Sequence, residues 1–255
     1  MCEIFGFSSC RKSNLKPYLT EFFSHSVNHP NGWGLAEFGD DGIHVQTEPI
    51  SAGESKILPE LVANLEDSKT LLAHIRKATV GGVKSANCHP FVRTDDSGRT
   101  WTLIHNGTVF SGMELIYYQN KQTGDTDSER ILLYLIDKMN DEIAKKGCPL
   151  NSFERFKVVE KVVANIAYRN KINLLIYDGS QMYVHVNMKD TLHFKSDEFG
   201  TFFSTVPLDA EGWQPLPLTT VLVYQEGRLK YKGKNHHNEY IDVIETSAQQ
   251  YDYNI

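Results

Sequence analysis

A thiol occupies the second position of the chain, in Met1-Cys2-Glu3-Ile4-Phe5-Gly6-Phe7. Methionine is readily trimmed ahead of a small side chain, and trimming leaves Cys2 with both a thiol and a free α-amine. That amine has an unperturbed pKa of about 8, so part of it is an uncharged base at neutral pH. Nucleophile and base then sit on one residue, as with an N-terminal threonine and its amine. A chance Met-Cys dipeptide is the competing explanation, so other residues must decide. Arg76 closes the apolar run Thr70-Leu71-Leu72-Ala73-His74-Ile75. A guanidinium there needs an anionic partner if it is buried. Its planar fork suits a carboxylate of the protein or of a ligand. A structural salt bridge is the alternative.

Asn106-Gly107 follows Trp101-Thr102-Leu103-Ile104-His105. At a strand end this pair favours a hairpin turn, although it could also set a side-chain amide beside a glycine N–H as an oxyanion hole. Asp127 lies in Thr126-Asp127-Ser128-Glu129, a capping-box pattern that opens a helix. In the first turn the helix dipole favours its ionised form, and complementing that dipole could be its whole role. Cys88 beside His89 suggests a thiol–imidazole pair, but adjacent side chains of an extended segment point to opposite faces. Pro90 strengthens the extended geometry of the residue before it. Cys88 therefore reads as a core thiol, and His236-His237 as a poor metal site for want of further ligands.

These groups need elements to hold them. Ile4-Phe5-Gly6-Phe7 reads as a buried strand that anchors the terminus. Residues 15–27 carry Leu15, Leu19, Phe22, Phe23 and Val27 at helical spacing, with Pro17 in the first turn, where its missing N–H does no harm. Gly32-Trp33-Gly34 then permits either a close backbone approach or a simple turn. A hairpin about Asp41-Gly42 is expected over 40–50, and a helix over 55–66. Helices are expected from Thr126 to about Asn140, and from the Asn151-Ser152-Phe153-Glu154 cap onward. Strands follow at Ile172–Tyr177, Met182–Val186, 191–195, 201–206, 219–224 and 228–232. The tail from Lys234 is polar. Composition does not break along the chain, so a single domain spanning 1–255 is expected.

Hydrophobic residues make up 40% of the 255 and charged residues 23%, as in an ordinary globular protein with a real core. The net charge of −6 and the absence of a basic block give nucleic-acid binding little support. No apolar run approaches the roughly 18 residues of a membrane span, and no signal peptide is visible. Four cysteines without CxxC spacing argue against a zinc site or disulfide framework and for a reducing cytoplasm. No cofactor or metal is expected.

Taken together, four stretches resemble the class II glutamine amidotransferases, the N-terminal-cysteine branch of the Ntn hydrolases. They are Met1-Cys2-Glu3-Ile4-Phe5-Gly6, His74-Ile75-Arg76-Lys77-Ala78-Thr79 with Asn87-Cys88-His89-Pro90-Phe91, Ile104-His105-Asn106-Gly107, and Thr126-Asp127-Ser128-Glu129. Phe203-Ser204-Thr205-Val206-Pro207-Leu208 with Trp213 is similar to compact stand-alone members, which include γ-glutamyl amide hydrolases. The resemblance implies an α+β fold, a four-layer αββα sandwich of two mostly antiparallel sheets. It also implies roles. Cys2 would attack a γ-amide carbonyl, with its α-amine moving the proton. Asn106 and the Gly107 N–H would stabilise the oxyanion. Arg76 would hold the substrate α-carboxylate and Asp127 its α-ammonium, with Thr79 on the same substrate-binding side.

The sequence departs from many members at Lys77 and Val80, where an aromatic residue and a histidine are usual, so the pocket rim is expected to differ. With the sequence ending at Ile255, no attached synthase or isomerase domain is expected. Ammonia would then pass to a separate accepting enzyme or be released by a plain hydrolase. The alternatives are a hydrolase of a larger γ-glutamyl conjugate and a catalytically silent binding module. The expected partner is a small-molecule substrate, with no nucleic acid and no membrane, and a homodimer is the base-rate expectation.

Overall fold

In the computed structural model, which describes residues 1–39 and 41–242, two sheets stack face to face between two helical layers. The first sheet runs in the order β11 (Gln214–Pro215), β9 (His193–Ser196), β10 (Gly200–Ser204), β1 (Glu3–Ser13), β4 (Ser68–Ile75), β2 (Trp33–Gly39) and β3 (Gly42–Glu48). The second runs β13 (Arg228–Lys232), β12 (Leu222–Gln225), β8 (Met182–His185), β7 (Lys171–Tyr177), β6 (Thr100–Thr108) and β5 (Phe91–Thr94). The strand pairs are antiparallel. Helices α1 (Lys16–Ser24) and α2 (Leu58–Asn64) cover the outer face of the first sheet, and α4 (Asp127–Lys146) and α5 (Ser152–Ala167) that of the second. A short α3 (Met113–Ile116) packs near α4. This is the expected αββα sandwich.

Alternation along the strands assigns each residue to a layer. Phe5 and Phe7 of β1 pack outward with Leu19 and Phe22 of α1, while Ile4 faces the other sheet with Leu72, Ile104, Leu175 and Phe203. On β7, Ile172, Leu174 and Ile176 face the α4–α5 layer. Leu175 faces inward, and by alternation so do Asn173 and Lys171. The register Ile104↔Leu175, Asn106↔Asn173 and Thr108↔Lys171 puts these pairs on that same inner face.

Several elements differ from the sequence expectation. The first helix stops at Ser24 and tightens into a 3-10 turn over His25–Asn28. Residues 52–54 form a separate 3-10 turn before α2. Helix α4 continues to Lys146 because Lys138–Asp141 and Glu142–Lys145 ion pairs at i,i+3 support a polar extension. Gly147, with φ 77°, then ends it, its N–H bonded to the Ile143 carbonyl. Asn106-Gly107 is not a turn, for both residues lie inside β6 and pair with Asn173 and Ile172. Glycine is required at 107, since a Cβ there would lie 1.9 Å from the Lys171 carbonyl oxygen. Gly34 is likewise a close approach, with a Cβ position 1.8 Å from the His89 carbonyl oxygen.

Candidate active site

Cys2 sits one residue before β1, beside the chain leaving β4. The register Glu3↔Ile75 sets this neighbour. Its Sγ lies 3.4 Å from both the carbonyl oxygen and the amide nitrogen of Lys77. Burial pushes the thiol above its ordinary pKa, against the Lys77 backbone bond, the terminal amine and Arg76, while Asp127 pushes it further up. A protonated thiol needs a base nearby. The α-amine, which here belongs to Met1, is held below its ordinary value by burial and by the charges of Lys77 and Lys171, against Cys2 and Glu3.

Arg76 is buried, but the partners it has are neutral carbonyls. Nη1 donates to the Gly82 carbonyl at 2.9 Å, and Nη2 to those of Val80 and Gly81 at 3.0 and 3.2 Å. Carbonyl dipoles of the 80–82 loop thus supply the negative potential in place of a salt bridge. These bonds engage three of the five guanidinium N–H groups. Behind it, the Arg76 N–H donates to the Gly32 carbonyl at 2.8 Å. A Cβ on Gly32, with φ 146°, would sit 2.8 Å from the Cys88 sulfur.

Asn106 is fully buried on the inner face of β6. Its Nδ2 makes only a long 3.5 Å contact with Thr205 Oγ1, and its carboxamide oxygen has no partner among the described residues. Asp127 opens α4 and ties it to the end of β6: its Oδ2 accepts the Val109 N–H at 2.7 Å and its Oδ1 the Ser128 N–H at 2.9 Å. Thr79 is exposed at the rim, 3.5 Å from Thr108 between hydroxyl oxygens. The structure therefore gathers Cys2, Arg76, Asn106, Gly107 and Asp127 at one end of the sandwich, with Thr79 above them. A concavity of about 830 Å³ lies at the opposite end, lined by Ser8, Thr70, Tyr177 and Glu226, and holds none of these residues.

Three further residues belong to this end. Thr205 accepts the Ile4 N–H on its hydroxyl at 2.9 Å and donates its own N–H to the Ile4 carbonyl at 3.0 Å, clamping the strand that carries Cys2. His105 bridges Ser128 Oγ at 2.9 Å and the Lys171 carbonyl at 3.2 Å, and burial keeps it below its ordinary pKa. Lys171 is itself buried, and its Nζ touches the Met1 sulfur. The signal for Lys171 was a lysine at the head of an apolar strand. Cys88, by contrast, is a core thiol pushed up to about 11 by burial, and it points at backbone carbonyls of Glu48 and Lys84. His89 meets the His74 ring edge to face instead.

A family model for class II glutamine amidotransferases matches residues 1–199. An uncharacterized protein of Methanocaldococcus jannaschii is 29% identical over 92% of this chain and 72% of its own length. A provisionally named glutamine amidotransferase of Escherichia coli is 27% identical over 76% of this chain and 75% of its own length. A γ-glutamyl-hercynylcysteine sulfoxide hydrolase of Mycolicibacterium smegmatis is 23% identical over 80% and 81%. The crystal structure of a predicted glutamine amidotransferase from Pseudomonas aeruginosa PA01 superposes with a TM-score of 0.59 and 22% identity, covering 90% of this chain and 95% of that one. By the family match across most of its length, the chain belongs to the class II glutamine amidotransferases.

Proposed function

We propose that the protein hydrolyses a γ-glutamyl amide, using Cys2 as an N-terminal nucleophile. The observation that carries this reading is the position of the Cys2 thiol at the sheet end shared by Arg76, Asn106 and Asp127. Met1 must be removed first, because a Cys2 nitrogen tied in a peptide bond has no basic lone pair. The freed amine then takes the thiol proton, directly or through a water. The sulfur attacks the γ-carbonyl, and the tetrahedral oxyanion is stabilised by the Asn106 carboxamide and the Gly107 N–H. The amine passes its proton to the departing nitrogen, leaving a γ-glutamyl thioester, which water resolves to glutamate and the free thiol. Arg76 and Asp127 supply the fixed cation and anion that a zwitterionic glutamyl head requires.

The test is an intact mass before and after incubation with a diazo-ketone analogue of glutamine, followed by peptide mapping. Loss of methionine and one adduct on Cys2 are expected. An adduct on Cys88, or a trimmed chain that stays unlabelled and turns over no γ-glutamyl compound, would reject the reading. A second reading, a hydrolase of γ-glutamyl conjugates larger than glutamine, is favoured by the similarity to the γ-glutamyl-hercynylcysteine sulfoxide hydrolase.

A further inference from the structure

To stabilise an oxyanion, Asn106 must present an N–H, because its carboxamide oxygen only accepts hydrogen bonds and would repel a negative charge. In the structure Nδ2 is turned instead to Thr205 Oγ1, at 3.5 Å, and the carboxamide oxygen is left without a partner among the described residues. Thr205 is itself buried just past the end of β10. Its hydroxyl oxygen accepts the Ile4 N–H at 2.9 Å, and a hydroxyl also has one proton to donate. A half-turn of the Asn106 carboxamide about χ2 exchanges its nitrogen and oxygen. The oxygen then accepts the Thr205 O–H, so the orphaned acceptor gains a donor and both Nδ2 hydrogens leave Thr205.

We propose that Thr205 is a positioning residue for the oxyanion hole: its hydroxyl holds the Asn106 carboxamide in the turned orientation, with Nδ2 free for the γ-carbonyl oxygen. This rests on the γ-glutamyl hydrolase reading above. The same hydroxyl grips Ile4, two residues after Cys2, and the Thr205 N–H donates to the Ile4 carbonyl at 3.0 Å. On its other side the Thr205 carbonyl accepts from His193 Nδ1 at 3.1 Å. One anchored side chain therefore sets the oxyanion donor against the strand that carries the nucleophile.

Thr205→Val removes the hydroxyl with little change of shape. In the protein with Met1 removed, it should lower kcat for a γ-glutamyl amide by at least about tenfold, the upper range for one neutral hydrogen bond. The loss should not exceed the roughly 100- to 1000-fold of a missing oxyanion donor, and KM should change far less. Thr205→Ser, which keeps the hydroxyl, should retain most of kcat. The deciding measurement is a double-mutant cycle in kcat with Asn106→Ala. Without the carboxamide Thr205 has nothing to orient, so Thr205→Val should then change kcat by no more than about twofold, the scatter of such cycles. Thr205→Ala enters the same cycle if the valine variant does not fold. Losses that multiply in full would mean that Thr205 acts only by clamping Ile4. That result, or a serine variant as impaired as the valine one, would overturn the inference while the hydrolase reading survived. Absence of turnover of any γ-glutamyl amide by the wild-type protein would reject both.

Discussion

Leaving a buried amide oxygen without a hydrogen bond costs roughly 1–3 kcal/mol, and Asn106 bears that cost at the centre of the site. A residue kept only for stability would be better replaced by an apolar one. Replacing it should therefore separate catalysis from folding. Asn106→Ala is expected to lower kcat about 100- to 1000-fold, with KM changed far less, as for loss of one oxyanion donor. Its melting temperature should stay near that of the wild type, because among the described residues the amide of Asn106 is held by no more than a long hydrogen bond to Thr205. A parallel fall of melting temperature and kcat would assign Asn106 to the fold instead. Cys2, Arg76, Asn106 and Asp127 were singled out by the order and spacing of four stretches taken together, since residue by residue a chance dipeptide, a salt bridge, a hairpin turn and a helix cap explained them as well. The clamp of Thr205 on Ile4 was not, because it joins strands 201 positions apart, and nothing local marks that meeting.

The start of α4 shows how an element holds the site. Thr126 caps the helix, accepting the Glu129 N–H at 3.2 Å. The expected capping box is only half made, because the Glu129 carboxylate turns away from the cap residue. It accepts the N–H groups of Thr123 and Gly124 at 2.8 Å each and pairs with Arg93 at 2.6 Å. The S/T-x-x-E pattern thus located the helix start but not the partner, which is a loop that folds back over it. That loop continues to Asp125, which accepts the Gly82 N–H at 3.2 Å and so meets the 80–82 carbonyls around Arg76. The second cap, Asn151 with Glu154, forms the full reciprocal box. Glu129→Ala should accordingly cost about 2–4 kcal/mol, since it leaves two loop N–H groups and Arg93 without their acceptor. It should also raise KM for a γ-glutamyl substrate more than it lowers kcat. Chemical denaturation and steady-state kinetics would check the two effects, and an unchanged KM would detach the loop from substrate binding.

At the scale of the whole molecule, two stacked sheets could not be read from periodicity. Alternation gives faces and not partners, and the order and spacing of four short motifs carried the expectation. The packed layers have a consequence for stability, because they enclose several imidazoles, His74 between the sheets and His185 on the helix-facing side of the second sheet. Burial holds His74 and His185 at about 3, and His89 well below its ordinary value. The unfolded chain protonates these groups near pH 6.5, while the folded chain keeps them neutral until far lower pH. Between those limits the unfolded state binds more protons, so stability rises with pH, reaches its plateau above about 6.5, and is lost as pH falls toward 3. Each such histidine should contribute a slope approaching about 1.4 kcal/mol per pH unit in that window. Carboxylates held below their ordinary values, such as Asp95 and Asp125, act in the same direction, but only below about pH 4. Denaturant unfolding between pH 5 and 6.5 therefore isolates the histidines. Stability should fall by several kcal/mol across that range in wild type, and His185→Gln should flatten the slope by about one histidine. A profile that is level from pH 6.5 to 5 would mean that these imidazoles take up protons without unfolding, and that their buried surroundings admit water.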